Sequence, residues 1–185
     1  MSAVRSYVLD SDIFIQAKRN HYRFTVCPGF WDALEFFHRE GRVVSIDKVK
    51  AELERGKDDL TDWVKTKVPS TFFRSTNEQR VLMAFSEIMA WSEQQERYSQ
   101  GAKEKFAEGA DPWLIAFAKA GDLVLVTHEV PAEFSKNSIK IPDVCLAFQV
   151  EWIDPFEMLE CLGVRFSWQS RTLGGGASGR KGTGN

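Results

Sequence analysis

The sequence predicts an α/β fold with a mainly parallel central sheet that is flanked by helices. Short apolar runs alternate with helix-like stretches along most of the 185 residues, as in a chain of βαβ units. Residues 123–127 are all apolar or β-branched, which is typical of a strand that is buried on both faces of a parallel sheet. Hydrophobic residues make up 43% of the chain and charged residues 27%, so the composition is that of a globular protein.

The N-terminal part is expected to supply the first two strands of this sheet. Residues 7–10 form an apolar run that ends on an aspartate, and residues 43–46 form the next apolar run. Asp47 follows the second run and is suited to cap the N-terminus of a helix. Apolar residues at helical spacing predict helices over residues 30–40, 47–56 and 57–67, the first of them ending at Gly41.

The remaining elements follow the same alternation. Residues 76–99 form the longest helix-like stretch, with no proline inside it. Asp111-Pro112 begins a compact helix that is expected to end at Gly121, because proline is favoured in the first turn and glycine at the end. Beyond it we expect a strand over 123–127, a loop over 131–142, a helix over 143–148, a strand over 150–153 and a helix over 156–162.

These elements predict one domain over residues 1–168, followed by a flexible Gly-rich tail over residues 169–185. The chain has 24 Lys and Arg residues against 26 Asp and Glu, which excludes a strongly basic coat for nonspecific nucleic-acid binding. The three cysteines show no CxxC spacing, so neither a zinc knuckle nor a disulfide framework is expected. No apolar run is long enough to span a bilayer, and we expect a cytoplasmic protein without a membrane partner.

Acidic residues stand at the ends of the predicted elements. Asp10 follows the first strand, Glu129 follows the strand over 123–127, Glu52 lies in the helix after the second strand, and Asp111 begins a later helix. Ligands of open parallel sheets bind outside the carboxyl ends of the strands. Carboxylates that meet there need a cation, and hard oxygen ligands favour Mg²⁺ or Mn²⁺. This chemistry is typical of metal-dependent nucleases.

Four segments in this order resemble the PIN-domain nucleases, the fold of VapC-type toxin ribonucleases. They are YVLDSDIFI, VKAELERG, ADPWLIAFAKA and LVLVTHE. The segments FWDALEFF and KIPDVC resemble a less characterised PIN-like branch that is usually described as a domain of unknown function. Together these segments span roughly residues 7–162, which is most of the predicted domain.

The resemblance implies that Asp10, Glu52, Asp111 and Glu129 are both catalytic residues and ligands of Mg²⁺ or Mn²⁺. Glu129 departs from the family pattern, because many members have an aspartate in a T-x-D motif where this chain has Thr127-His128-Glu129. The implied activity is hydrolysis of phosphodiester bonds in RNA by the toxin of a type II toxin–antitoxin pair. RNA, an antitoxin protein and a second copy of the chain are the implied partners.

Further residues are expected to support the site or hold substrate. Asp12 and Thr127 are placed beside the metal ligands, with Thr127 orienting a carboxylate. Lys18, Arg19 and Arg23 belong to a basic and aromatic run that includes His21 and Tyr22, and such a run can hold phosphates and stack a base. A solvated loop explains this run equally well, and the same holds for Lys136 and Lys140. His128 is expected on the surface or behind the ligands.

Two other functions are compatible with the sequence. The first is a catalytically silent PIN-like module that binds nucleic acid or protein, although all four acidic positions still carry carboxylates. The second is a Mg²⁺-dependent phosphatase of the haloacid-dehalogenase type, which the Asp10-x-Asp12 pair suggests. No lysine motif precedes the later acidic residues in the way that those phosphatases require, so this function is disfavoured.

Overall fold

A computed structural model of the protein describes residues 5–167, and the tail predicted over 169–185 lies outside them. The predicted α/β class is confirmed: a fully parallel sheet of five strands, in the order β3-β2-β1-β4-β5, is flanked by helices. The strands are short, and in chain order they are β1 (Tyr7–Leu9), β2 (Val43–Ile46), β3 (Phe73–Arg74), β4 (Val124–Val126) and β5 (Trp152–Ile153).

The helices cover most of the chain between the strands. Their bounds are α1 (Ser11–Gln16), α2 (Pro28–Arg39), α3 (Asp47–Leu53), α4 (Asp59–Thr66), α5 (Gln79–Gln94), α6 (Gln100–Glu108), α7 (Asp111–Gly121), α8 (Ile141–Phe148) and α9 (Pro155–Cys161). A π-helical turn over Ala17–His21 continues α1, and a 3₁₀ turn over Ser70–Phe72 precedes β3. Within residues 5–167, no helix has the length and the apolar character needed to cross a membrane.

The centre of the sheet is β1, with β2 on one side and β4 on the other. All residues of β1 and β4 are buried, so the continuous apolar runs of these strands pack under helices on both faces. Since β1 leads to β2 on one side and pairs with β4 on the other, the strand order reverses between β1 and β4. A crevice therefore opens outside the carboxyl ends of these two strands.

Helix α7 carries a predicted site residue and is anchored by its apolar side chains. Leu114, Ile115 and Ala116 are fully buried, and the helix packs against α5, α8 and the sheet. Asp111 and Pro112 form its first turn, where proline costs no hydrogen bond. The position of Asp111 is thus determined by the buried face of a rigid helix.

The long helix predicted over residues 76–99 is shorter in the structure and ends at Gln94. The chain becomes extended at Gln95, and Ser99 caps a separate helix, α6, by accepting a hydrogen bond from the Ala102 N–H at 3.3 Å. Tyr98 between them is buried. The sequence contains no proline or glycine at this break, so the burial of Tyr98 and the Ser99 cap determine it.

Two features near β2 were not predicted correctly. Asp47 is the first residue of α3 rather than its cap, and its carboxylate accepts hydrogen bonds from the Thr76 N–H and hydroxyl at 3.2 and 2.9 Å. The strand β3 was missed, because its two residues are too few to show a period. The bond from Thr76 to Asp47 holds the segment after β3 against the start of α3.

The helix ends were predicted with mixed success. Gly41 follows α2 with φ of 71°, which confirms it as the stop, because this left-handed conformation favours glycine. Gly121 is still helical, and the left-handed residue after α7 is Asp122, with φ of 51°. Helix α8 begins at Ile141, two residues earlier than predicted, with Pro142 in its first turn.

The anchoring of α7 can be tested by removing one buried leucine. Leu114 is 0% exposed, whereas Leu146 on α8 is 60% exposed and serves as a matched control. Leu114→Ala is expected to lower the free energy of unfolding by about 2–5 kcal/mol, because it leaves a cavity under α7. Leu146→Ala should change it by less than about 1 kcal/mol. Chemical denaturation measures both, and equal losses in the two variants would contradict this packing.

Candidate active site

A buried carboxylate lies at the carboxyl end of the central strand. Asp10 follows β1 directly and is only 4% exposed. Its Oδ2 atom accepts a hydrogen bond at 2.9 Å from the hydroxyl of Thr127, which follows β4 and is also buried. The Thr127 Oγ1 atom in turn accepts from the Glu129 N–H at 3.1 Å. Thr127 therefore orients a carboxylate, as the sequence analysis expected.

Glu52 and Asp111 reach the same region from two helices. Glu52 lies near the end of α3, and its Oε1 atom accepts a hydrogen bond from the Ala110 N–H at 3.2 Å. Ala110 is the residue before α7, so this bond ties Glu52 to the N-terminal end of the helix that begins with Asp111. The Asp111 carboxylate is half-buried.

Glu129 is held by two donors from the start of α8. The Lys140 ammonium group donates to its Oε1 atom at 2.6 Å, and the Ile141 N–H donates to its Oε2 atom at 2.8 Å. The ion pair with Lys140 is partly shielded from water. This bond raises the pKa of Lys140, so the lysine stays protonated. Both oxygens of Glu129 are thus engaged by the protein itself.

The charges of these groups act on one another. Burial and, in decreasing order, the charges of Asp10, Glu129 and Glu52 together raise the pKa of Asp111 to about 7. Burial also raises the pKa of Asp10 to about 6, with a contribution from Glu129, although the hydrogen bond from Thr127 opposes this rise. Such mutual effects require that the four carboxylates lie close together. The sequence-predicted catalytic set therefore converges at one place.

A cleft of about 220 Å³ opens over this cluster. Its polar walls include Glu52, Asp111, Glu129 and Lys140, together with Lys105 from α6. Asp10 is not in its wall, because its carboxylate lies beneath the surface. The cleft is therefore acidic at its floor and carries ammonium groups at its rim.

The donor set fits Mg²⁺ or Mn²⁺. In the part of the chain that the structure describes, no three His, Cys, Asp or Glu side chains form a ready-made ligand group. Mg²⁺ usually takes one or two protein carboxylates and keeps several waters, so a complete cage is not required. Asp10 and Asp111 are the carboxylates with raised pKa, and Asp10 accepts from the Thr127 hydroxyl, whereas Glu52 and Glu129 are held by backbone N–H groups next to helix starts. Asp10 and Asp111 are thus the strongest candidate ligands.

The predicted substrate residues lie on a neighbouring surface. Lys18 and Arg19 line a second cleft, of about 180 Å³, that shares Glu52 with the first one. Lys18 forms ion pairs with Asp58 and Asp59 at 2.7 and 3.2 Å, so its charge is largely satisfied. Arg19 and Arg23 are exposed and line a further cleft with Lys18. The two arginines are the members of this group that are suited to meet phosphates.

Asp12 acts electrostatically on members of the acidic cluster. It is half-buried in the first turn of α1, where the Gln16 amide donates to its Oδ1 atom at 3.5 Å. Its charge contributes to the raised pKa of Asp10 and acts on Lys140 as well. Asp12 therefore extends the acidic surface, as expected for a group beside the ligands.

Sequence reasoning missed how the glutamates are held. Lys140 was treated as a member of a basic loop, and no partner was assigned to it. The bond from the Ile141 N–H was not foreseen either, because it depends on α8 beginning two residues early. The K-I-P sequence was the available signal, since proline in a first helical turn leaves the N–H groups before it free to bind an anion.

A protein-family model described as "Domain of unknown function (DUF4411)" matches residues 7–166, which is most of the chain. The chain belongs to the DUF4411 family. Searches of curated proteins and of solved structures gave no match. The family description names no activity, so the resemblance of this DUF4411 protein to PIN-domain nucleases stays a prediction.

The carboxylate cluster makes stability depend on pH when no metal is bound. Asp10 and Asp111 bind protons more tightly in the folded state, so the stability this adds is complete below pH about 4 and is lost as the pH rises through about 6 and 7. In chelator, the wild type should lose on the order of 4 kcal/mol between pH 5 and pH 8. Urea denaturation at the two pH values measures this loss.

Two aspartate variants test whether this pH dependence of stability comes from the carboxylate cluster. Asp111→Asn should reduce this pH dependence, because its side chain cannot ionise. Asp122→Asn, at an exposed left-handed position that asparagine tolerates, should keep it. Burial lowers the pKa of His128, so this histidine makes stability rise with pH, opposite to the two aspartates. All three proteins contain His128, so its effect cancels in the comparison. Equal pH dependence in the wild type and in Asp111→Asn would refute the coupling of the carboxylates.

Proposed function

We propose that this DUF4411 protein is a Mg²⁺- or Mn²⁺-dependent ribonuclease of the PIN type. The observation that carries the proposal is the convergence of Asp10, Glu52, Asp111 and Glu129 where the strand order reverses between β1 and β4. Burial and the charges of the other three carboxylates raise the pKa of Asp111 to about 7, so the cluster is unfavourable at neutral pH without a proton or a cation. A divalent cation relieves this repulsion.

Each residue has a distinct part in this proposal. Asp10 and Asp111 would hold the metal, and Thr127 would keep the Asp10 carboxylate in one orientation through its 2.9 Å bond. Glu52 would position Asp111 through the Ala110 N–H. A bound Mg²⁺ or Mn²⁺ supplies a water nucleophile at neutral pH and offsets charge on the phosphate.

Lys140 adds a positive charge at the rim of the same cleft. Its ammonium group lies 2.6 Å from Glu129 and also feels the charges of Asp111 and Asp12. A phosphate that enters the cleft would meet this ammonium group, which can stabilise charge that develops on a phosphate oxygen. Glu129 would then act by holding Lys140 in place, in addition to any contact with metal.

Single-stranded or looped RNA is the proposed substrate, because attack at a phosphate in a small open cleft needs an accessible backbone. The clefts of about 180 and 220 Å³ meet at Glu52, and Arg19 lies on the side away from the acidic cluster. The role as toxin of a toxin–antitoxin pair, with an antitoxin covering the acidic cleft and a second copy of the chain as partner, rests on the sequence resemblance alone.

One observation favours a second candidate, a binding module without catalysis. Both oxygens of Glu129 are engaged by α8, and no described residues form a three-ligand metal group. In that case the acidic cleft would bind a partner without hydrolysing it. The two functions differ in whether the cellular effect of the protein survives Asp10→Asn.

Cleavage of a mixed single-stranded RNA pool in Mn²⁺ tests the proposal. The wild type is expected to cleave the pool, and Asp10→Asn and Asp111→Asn are expected to reduce cleavage to background, because each removes a carboxylate ligand. Asp122→Asn is the matched control and should cleave like the wild type. Circular dichroism checks that all four proteins are folded. A wild type that neither cleaves the pool nor is stabilised by Mn²⁺ would contradict the nuclease proposal and favour the binding module without catalysis.

The orienting role of Thr127 predicts an intermediate effect. Thr127→Val removes the hydroxyl that bonds Asp10 but keeps a β-branched side chain of similar size. We expect a roughly 10–100-fold loss in the apparent affinity for Mn²⁺, as for other partners that orient metal ligands. Titrating Mn²⁺ in the cleavage assay measures this loss, with Thr61→Val as a control for loss of a buried threonine hydroxyl at another place. An unchanged Mn²⁺ dependence in Thr127→Val would show that the bond does not position Asp10.

A further inference from the structure

Three aromatic rings from separate parts of the chain meet beside the acidic cleft. The His21 ring lies 5.9 Å from the His128 ring and 5.9 Å from the Phe156 ring, measured between ring centres. The His128 and Phe156 rings are 6.4 Å apart. His21 ends the π-helical turn, His128 follows β4, and Phe156 lies in the first turn of α9. We refer to these three residues as the ring cluster.

The ring cluster is adjacent to the catalytic candidates. His128 stands between Thr127, which bonds Asp10, and Glu129, which bonds Lys140. The charge of Asp12, two residues after Asp10, also acts on His128. The ring cluster therefore adjoins residues that hold the acidic cluster, although its three rings do not line the acidic cleft itself.

Two of the three rings are exposed to solvent. Phe156 is 47% exposed and His21 is exposed, while His128 is half-buried. Exposed large apolar side chains that group together usually mark a binding surface. Tyr22, the other aromatic residue of this segment, instead stacks on the buried Phe30 ring at 4.5 Å and so anchors the segment. His21 is thus exposed at the surface, whereas the neighbouring Tyr22 packs against the core.

The segment that presents His21 has an unusual backbone. Residues Ala17–His21 form a π-helical turn, a rare conformation that is frequent at functional sites. The Tyr22 N–H donates to the Ala17 carbonyl at 2.6 Å, five residues earlier, and closes this turn. The turn places His21 against the rings of His128 and Phe156, while Tyr22 is partly buried and packs against the core.

We infer that the ring cluster is a stacking platform for a nucleobase of single-stranded RNA, next to the phosphate that the acidic cleft takes. This inference rests on the proposed ribonuclease function and adds the way in which the substrate is held. Every base has a π-face, so such a platform is tolerant of sequence. Exposed Arg19 and Arg23 flank His21 in the chain and offer positive charge to the backbone on either side of the stacked base.

The inference can be tested by binding alone, separately from cleavage. The probe is a fluorescein-labelled RNA octamer of random sequence, compared with an octamer of abasic ribose phosphates, in chelator and at low ionic strength. The wild type is expected to bind the octamer with bases roughly 5–100-fold more tightly, as for one stacked base. Phe156→Leu and His21→Ala should bring this ratio near one, and His21→Phe should restore it.

Phe134→Leu is the matched control, because Phe134 is 90% exposed at a distance along the chain in the segment before α8. It should keep the preference of the wild type. A preference for bases that survives both Phe156→Leu and His21→Ala would overturn the inference, and so would a wild type that binds neither octamer. Base-dependent binding without Mn²⁺-dependent cleavage would support the platform and refute the nuclease, whereas cleavage without base preference would do the reverse.

Discussion

The hydrogen bond from Thr127 to Asp10 joins the ends of the two central strands, and the arrangement of the candidate site depends on it. Asp10 is buried where β1 ends, and a carboxylate in such a place is costly to desolvate unless a donor or a cation meets it. Thr127 supplies one donor at 2.9 Å, and its oxygen is itself bonded by the Glu129 N–H. The chain that leaves β4 is thereby held over the end of β1, and Glu129 is carried to the cleft.

The four carboxylates divide into two pairs with different surroundings. Glu52 and Glu129 each accept a backbone N–H from the segment before or at the start of a helix, at 3.2 and 2.8 Å, and so connect α3 to α7 and β4 to α8. Asp10 and Asp111 have few such bonds and carry the raised pKa values. The glutamates therefore assemble the cleft, and the aspartates remain available to a cation. This division explains how four carboxylates can lie together although, among the described residues, no three of them form a ready-made metal-ligand group.

Most of the fold and the members of the candidate site could be predicted from the sequence, but the contacts between these residues could not. The strands 43–46 and 123–127 were predicted because continuous apolar runs leave little alternative, whereas two-residue β3 has no periodicity to detect. The break at Gln94 depends on Tyr98 becoming buried, which is a tertiary effect. The acidic residues were found because strand ends are defined by the same apolar runs. Lys140 was named only as a possible phosphate-binding residue, and neither its bond to Glu129 nor the place of Phe156 was predicted, since their partners are 11 or more residues away in sequence.

The balance of charge in the cleft gives a physical reason for the placement of Lys140. Four carboxylates lie together, and Lys140 is the cation that the structure bonds directly to one of them, at 2.6 Å from Glu129. The charge of Lys140 lowers the pKa of Asp111 and so offsets part of the rise that Glu129 causes. With it, the cleft keeps a net negative charge and also carries an ammonium group. A single ion pair at the start of α8 thus gives the acidic cluster groups of both signs, as the proposed metal-dependent hydrolysis of a phosphodiester would require.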